Sequence, residues 1–269
     1  MITVIIGLLF AGGCSSALYF GLDWSLVWSL LAGVLAFGVF QAVAGLRIQK
    51  KVKKDMERVQ GILASGQKRL QMKMQSWQFR PPSSIQAAQR EIFEDTKVFV
   101  REALAETESL SKYRGWVPMI DRQKATAQLQ LNWMIKEFDA VDRLMPKALL
   151  LDPTVVAVKM ARMYMKKAAS EEIEKVYRKG VARVRYNGNV LLAATMSWIL
   201  VQRKDYDSAF KLLTDALKKS DNEVLKQNHE HLMNNRPLHF SNSGIGDPWY
   251  ALFLEEPKIH TQRPRNVYR

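Results

Sequence analysis

The residues best suited to chemistry in this chain do not form a catalytic or metal-binding pattern. The chain has four histidines and one cysteine. His229 and His231 are two residues apart, which points them to different faces of a helix, and His239 and His260 lie in irregular segments. The segment Ser243–Gly246 lacks the strand and helix that a phosphate-binding turn requires. We therefore predict no enzyme activity, no cofactor and no metal site.

The first 46 residues carry one charged side chain, Asp23. It separates two uncharged apolar runs, residues 2–22 and 24–46. A hydrocarbon core of roughly 30 Å needs about 20 helical residues, so each run is long enough to span a bilayer. Because backbone amides in lipid must be paired internally, the two runs predict a transmembrane helical hairpin over residues 1–46.

Residue types within the hairpin are typical of membrane helices. Aromatic rings, which favour the headgroup layer, cluster at the turn: Tyr19, Phe20, Trp24 and Trp28. Small residues at four-residue spacing predict a close approach of the two helices: Gly7, Ala11 and Ser15 in the first, Ala32 and Ala36 in the second.

Positive charge beside the second run predicts the orientation. The turn has no Lys or Arg, whereas five basic residues follow residue 46: Arg47, Lys50, Lys51, Lys53 and Lys54. Positive residues stay on the cytoplasmic side, so both termini are expected there and the turn outside. The five charges are also expected to attract anionic headgroups at the membrane surface.

Cys14 leaves two interpretations open. The segment around it loosely resembles a bacterial lipoprotein cleavage site, in which this cysteine carries the lipid. The preceding leader has no positive charge, and a second apolar run follows, so an ordinary membrane-buried residue is the favoured alternative. As the only cysteine, it has no partner for an intrachain disulfide.

Residues 47–80 are predicted to form a basic helix and linker. Apolar residues recur at spacings of three or four, close to a heptad seam: Ile48, Val52, Met56, Val59, Leu63, Gly66 and Leu70. Gly61 and Gly66 weaken the seam. It is either a stalk that self-associates or an amphipathic helix that lies on the membrane or packs on its own domain. Pro81 and Pro82 end it.

Residues 81–120 are predicted to hold a capping helix. Ser84 is a good N-cap for a helix over about 85–112. This helix is locally acidic, so its acidic side chains either remain solvated, pack against basic neighbours or pair with a basic partner.

Beyond residue 120 a 34-residue period appears. Ala148, Ala182 and Ala216 are one period apart, and Lys136–Asp139 and Lys204–Asp207 are two periods apart. The segments FDAVDRLMPKALLLDP, from Phe138, and YDSAFKLLTDAL, from Tyr206, resemble the second helix of the tetratricopeptide repeat.

The resemblance implies an all-α solenoid over residues 121–235, with units at about 122–155, 156–189 and 190–223. The register of the middle unit stays open, because Glu172 and Lys175 replace the expected aromatic and small residues. Residues 222–235 are expected to cap the array. The segment 236–269 is expected to be irregular and basic, with Trp249–Leu254 docked on the array and 257–269 mobile.

The chain resembles membrane-anchored bacterial members of this family. That resemblance implies an inner-membrane scaffold with a cytoplasmic groove that binds a protein partner, in envelope or membrane-complex assembly. By family register the groove residues are Thr126, Gln130, Met160, Tyr164, Lys167, Trp198 and Gln202. A second interpretation places Tyr164 and Trp198 in the core.

The net charge of +14 is uneven. Residues 47–80 carry +8, 159–185 carry +6 and 257–269 carry +4. The second block is either a solvated helix face or a surface for an acidic peptide. Two further functions stay open: a structural homo-oligomer held by the stalk, and a lipid- or nucleic-acid-binding module. No recognised nucleic-acid-binding module accompanies the charge, so nucleic acid is the less expected partner.

Overall fold

Every element is helical in the part of the chain that the computed structural model describes, residues 2–183 and 188–257. The expected all-α fold class is therefore confirmed, while the tetratricopeptide architecture stays a prediction. The chain divides into two compact units, Met1–Ala148 and Leu149–Arg269. The segment expected to be a mobile tail lies outside the described residues from Lys258 onward.

Two antiparallel helices begin the first unit, α1 (Ile2–Gly21) and α2 (Leu26–Ser76). Both are long and apolar enough to cross a membrane. As predicted, Gly7 and Ala11 are buried between them. On α2, however, the closest approach is at Gly33, where an added Cβ would lie 3.1 Å from the Ala11 carbonyl oxygen. Ala32 and Ala36 lie beside this contact and are half-buried. The face of α2 that packs against α1 is determined by the partner helix and not only by the spacing of small residues along α2.

The remainder of the first unit is built from shorter helices. These are α3 (Ile85–Thr107), a 3-10 helix (Glu108–Tyr113), α4 (Ile120–Met134) and α5 (Phe138–Leu144). Ser84 caps α3 as predicted, since its hydroxyl accepts a hydrogen bond from the Ala87 amide at 3.0 Å. The predicted segment 85–112 is helical throughout, but its last turn tightens into the 3-10 form. The helix predicted from Phe138 stops early, at Leu144, because Pro146 has no amide proton with which to continue the helical hydrogen bonds.

The seam along α2 packs on the chain's own helices. Val59 is 3% exposed and lies in one core cluster with Phe99, Val100 and Ala103 of α3. Closer to the apolar part of α2, Ile48, Val52 and Met56 pack against a second cluster, formed by Leu110, Tyr113 and Ile120. Of the two interpretations of the seam, the structure thus favours a helix that packs on its own domain.

The second unit continues with α6 (Pro153–Met165), α7 (Ser170–Arg183), α8 (Gly188–Gln202), α9 (Tyr206–Leu217) and α10 (Glu223–Met233). Two 3-10 turns (Pro237–His239 and Ser243–Ile245) and a short helix, α11 (Asp247–Tyr250), complete it. Helix α8 is apolar on all sides and buried over Leu191–Leu200, as expected for a helix surrounded by others. Trp249 and Leu252 are fully buried, so the run Trp249–Leu254 is packed into this unit.

The same turn recurs after four helices. Lys136, Lys167, Lys204 and Asn235 adopt left-handed backbone, with φ between 54° and 62°. At Lys204, the amide of this residue donates to the Val201 carbonyl and the next amide donates to the Leu200 carbonyl. The other three turns have the same two bonds, a Schellman motif.

These turns fix the register that the sequence left open. They are 31, 37 and 31 residues apart, so the turn at Lys167 comes three residues earlier than a strict 34-residue period requires. Accordingly, Ala182 is exposed, and Gly180 is the buried small residue of α7. A Cβ on Gly180 would lie 2.7 Å from Val156 Cγ1.

Candidate functional site

The seven residues predicted to bind a partner have different environments. Thr126 and Gln130 are half-buried on α4 in the first unit, and the other five belong to the second unit. Met160 is 0% exposed and offers no surface to a partner. Lys167 and Gln202 are exposed, and Tyr164 is half-buried. Trp198 is 6% exposed, which agrees with its alternative assignment to the core. Whether any of them binds a partner stays a prediction.

Tyr164 and Trp198 belong to an aromatic cluster. Tyr164 lies near the end of α6, and its ring meets the Trp198 ring of α8 edge-on, with centroids 5.3 Å apart. Trp198 in turn meets Trp249 at 5.9 Å, again edge-on. These are the distances and angles that aromatic pairs prefer. The cluster therefore joins three segments of the second unit.

Glu255 holds both tryptophans through their polar atoms. The Trp198 Nε1–H donates to Glu255 Oε1 at 2.5 Å, and the Trp249 Nε1–H donates to Oε2 at 2.8 Å. One carboxylate thereby satisfies two largely buried indole donors, and hydrogen bonds to an ionised acceptor are stronger than neutral ones. Glu255 was not among the residues predicted from the sequence. Its position just after the apolar run Trp249–Leu254 was the available signal.

A cleft of about 500 Å³ adjoins the cluster, lined by Tyr164, Met165, Lys167, Ala168, Ala169 and Arg203. Arg203 anchors one wall, since its guanidinium donates to Ser170 Oγ and to the Ala168 carbonyl, both at 2.5 Å. Its charged group also lies 5.8 Å from the Tyr164 ring centroid, a cation–π distance. Lys167 stands on the left-handed turn, where its ammonium is exposed. We call this the Tyr164–Arg203 cleft.

A second, smaller cleft of about 240 Å³ is basic. Lys159 of α6 and three residues on one face of α7, Lys175, Lys179 and Arg183, line it. In the described ranges none of the four forms an ion pair with a carboxylate. Burial and the neighbouring Lys179 ammonium lower the pKa of Lys159. The positive charge at this basic cleft is therefore uncompensated.

A groove of about 740 Å³ in the second unit runs between α7 and α9. Its wall includes acidic and basic side chains together with Tyr177, and burial raises the pKa of the Tyr177 hydroxyl to about 12. Asn189 Oδ1 is buried here, with no hydrogen-bond partner within the described residues. None of the seven predicted partner-binding residues lines this groove, whose residues match no motif.

The five residues predicted to lie at the membrane surface are all exposed on α2. The first of them, Arg47, directly follows the second apolar run. Lys53 makes a loose ion pair with Glu57, with Nζ 3.9 Å from Oε1. Because all five side chains are exposed, their charges face solvent. Cys14 is half-buried in α1, which continues unbroken past it.

The histidines among the described residues are engaged in packing. The His229 ring stacks on Phe210 at 4.4 Å and its Nε2 is 3.0 Å from Thr214 Oγ1, while His231 faces His239. Among the described residues there is no group of three His, Cys, Asp or Glu side chains that could hold a metal ion.

Comparison of the chain with protein-family models, curated proteins and solved structures found no match. The function proposed below therefore rests on residues and geometry.

Proposed function

We propose that this protein is a membrane-anchored scaffold whose second unit binds an acidic segment of a protein partner. The observation that carries the proposal is the Tyr164–Arg203 cleft. It combines aromatic surface with two cations, Lys167 and Arg203. It also adjoins a point where two indole N–H groups already hold a carboxylate of this chain. We infer a binding role rather than a catalytic one.

The membrane anchor is supported by the environment of α1 and α2. Large apolar side chains of the hairpin are exposed, for example Leu9 at 72%, Phe20 at 80% and Leu35 at 70%. The core helix of a soluble protein would bury such side chains, whereas lipid accepts them. We propose that the hairpin spans the inner membrane of a bacterium twice, with the rest of the first unit and the whole second unit in the cytoplasm, because the basic residues flank only that side.

A tetratricopeptide-like arrangement is the proposed architecture of the helix pairs. Its support is the repeated Schellman turn and the pairing of α6 with α7 and α8 with α9, which join helices of 12–15 residues. In such repeats the first helices of successive pairs line the binding surface. Tyr164 and Trp198 lie on first helices, which is consistent with their place beside the cleft.

Co-purification in mild detergent tests the proposal. We expect a partner at stoichiometric amount with the wild-type chain and its loss when Tyr164→Ala and Lys167→Glu are combined. Tyr206→Ala with Lys204→Glu is the matched control, since it changes an exposed tyrosine and a lysine on an equivalent left-handed turn. Retention of the partner by the first double variant, or equal loss in both, would contradict the proposal.

The basic cleft favours a second candidate function, binding of an anionic lipid surface. Four cations without carboxylate partners would gain from anionic headgroups. We expect salt-sensitive binding to vesicles containing phosphatidylglycerol that survives the Tyr164 and Lys167 changes but is lost when Lys159 and Lys179 become Gln. The stalk oligomer has less support, because the seam of α2 is already covered by α3.

A further inference from the structure

The start of α1 is tied to a loop of the soluble part of the first unit. The Ile2 amide donates to the Gly115 carbonyl at 3.0 Å. The fit is close, because a Cβ on Gly115 would lie 2.6 Å from Ile2 Cδ1. Gly115 begins the sequence Gly-Trp-Val-Pro-Met, residues 115–119, which we call the 115–119 loop. The start of α1 and the 115–119 loop therefore lie at the same level along the axis of the hairpin.

That level coincides with the end of the hairpin at which the first apolar run begins and the second one ends. Helix α1 has 20 residues and is about 30 Å long at 1.5 Å per residue, the thickness of a hydrocarbon core. Trp116, Val117 and Pro118 share a cleft of about 380 Å³ with residues at the start of α1 and with residues of α2 around the end of its apolar run: Thr3, Val4, Gln41, Gly45, Ile48 and Gln49. Gly45 is still in the uncharged run, and Arg47, the first basic residue, follows closely.

Apolar side chains of the loop are exposed. Trp116 is 38% exposed and Met119 is 60% exposed. Met119 also has left-handed backbone, with φ of 65°, a conformation that is strained for residues other than glycine. This backbone thus presents an apolar side chain to the surroundings, an unfavourable arrangement in water.

The loop is held in place by the extension of α2. Tyr113, two residues before the loop, donates its hydroxyl to Asp55 Oδ2 at 2.9 Å, and the Lys112 ammonium reaches the same oxygen at 2.7 Å. Asp55 is 4% exposed. The position of the loop relative to the hairpin is therefore held by bonds from Lys112 and Tyr113, just before the loop, to the buried Asp55 carboxylate.

We propose that the 115–119 loop inserts into the lipid headgroup layer and forms a second contact of the first unit with the bilayer. This inference rests on the hairpin spanning the membrane. Trp favours this layer, and the turn end of the hairpin already has Tyr19, Phe20, Trp24 and Trp28. The opposite end has no Trp or Tyr of its own within residues 1–10 or 40–54. Trp116 supplies the aromatic residue there.

Collision measurements with a nitroxide label test this inference. The full chain, with Cys14→Ala, carries a single label at Met119→Cys, or in a second variant at Trp116→Cys, in vesicles of phosphatidylethanolamine and phosphatidylglycerol. Leu35→Cys, in the middle of the apolar run, is the lipid reference. Phe79→Cys, 87% exposed, is the water reference, because it lies just past the end of α2, which continues for about 45 Å beyond residue 46. Circular dichroism confirms that each labelled chain is folded.

The ratio of oxygen to nickel-chelate collisions reports depth, because oxygen concentrates in lipid and the chelate in water. We expect the ratio at Met119 and Trp116 to lie severalfold above that at Phe79 and below that at Leu35. Ratios equal to that at Phe79, with Leu35 in lipid, would overturn the inference and leave the proposed anchor intact. A water-like ratio at Leu35 would overturn the anchor and this inference together.

Discussion

At the scale of single residues, Glu255 is the clearest case of one side chain holding distant segments together. Its two oxygens accept from Trp198 and Trp249 separately, so Glu255→Gln would place an amide donor against an indole donor. We expect the second unit to lose about 1 kcal/mol of unfolding free energy, the usual magnitude for one hydrogen bond. Thermal unfolding of the purified full chain measures this. Glu256→Gln, at an exposed neighbour, is the control and should leave the midpoint unchanged; equal shifts in both variants would contradict the assignment.

Asp55 gives the first unit a dependence on pH. The hydrogen bond from Lys112 lowers the pKa of the Asp55 carboxyl, burial opposes this, and the Tyr113 hydroxyl adds to the lowering. A carboxyl whose pKa is lower in the folded state stabilises the fold above its unfolded pKa, near 3.8, and loses that contribution as pH falls through the folded value.

We therefore expect Asp55→Asn to destabilise the first unit at neutral pH, by about 2 kcal/mol for lost bonds to a charged group, and to have less effect near pH 2. Unfolding midpoints of both chains across that range measure the difference. Glu57→Gln, on the same helix with only a loose pair to Lys53, serves as control. A difference between the unfolding midpoints of the wild-type and Asp55→Asn chains that stays constant from neutral to acid pH would show that the charge of Asp55 is unimportant.

At the scale of elements, the packing of α2 on α3 depends on a glycine. A Cβ on Gly66 would lie 2.3 Å from the Phe99 ring, whereas a Cβ on Gly61, in the same helix, meets nothing within 4 Å. We expect Gly66→Ala to destabilise the first unit by about 1–3 kcal/mol through overpacking. Gly61→Ala should instead stabilise it by up to about 1 kcal/mol, since alanine is the better helix former. Urea unfolding of the two variants measures these changes in unfolding free energy. A change of the same sign in both variants would refute the close packing of Gly66 against Phe99.

Local signals predicted several elements correctly. The start of α3 follows from Ser84, and α9 occupies the predicted segment Tyr206–Leu217, because caps and turn residues act within a few positions. The three-residue shift at Lys167 and the role of Gly180 were not predictable. Both depend on how α7 meets Val156, and a strict sequence period carries no information about that contact.

The candidate site was predictable in part for the same reason. Family register placed Tyr164 and Trp198 near each other, and their rings are in contact. It also assigned Met160 to the groove, but this side chain is 0% exposed, because neighbouring helices cover α6 at that position. Glu255 is 57 residues from Trp198 along the chain, and no local pattern links two residues at that separation.

At the scale of the whole molecule, anchor and candidate site belong to different units. The hairpin and the Asp55 network lie in Met1–Ala148, and the Tyr164–Arg203 cleft and the basic cleft lie in Leu149–Arg269. Each unit has its own buried clusters. Substitutions at the cleft are therefore expected to alter partner binding without releasing the chain from the membrane, and changes in the hairpin to do the reverse.

The orientation of the whole chain follows from the five basic residues after residue 46. A reporter that is active only outside the cytoplasm should work when inserted in the turn between α1 and α2, and should stay silent when fused after Arg269. Changing Arg47, Lys50, Lys51, Lys53 and Lys54 to Gln should weaken this bias, because charges close to a membrane helix set its direction. The same change at Lys159, Lys175, Lys179 and Arg183 should not, since those residues are far from the helix ends along the chain. An active reporter after Arg269 and a silent one in the turn would place the chain after residue 46 outside the cytoplasm, and the positive charge beside α2 would then need another explanation.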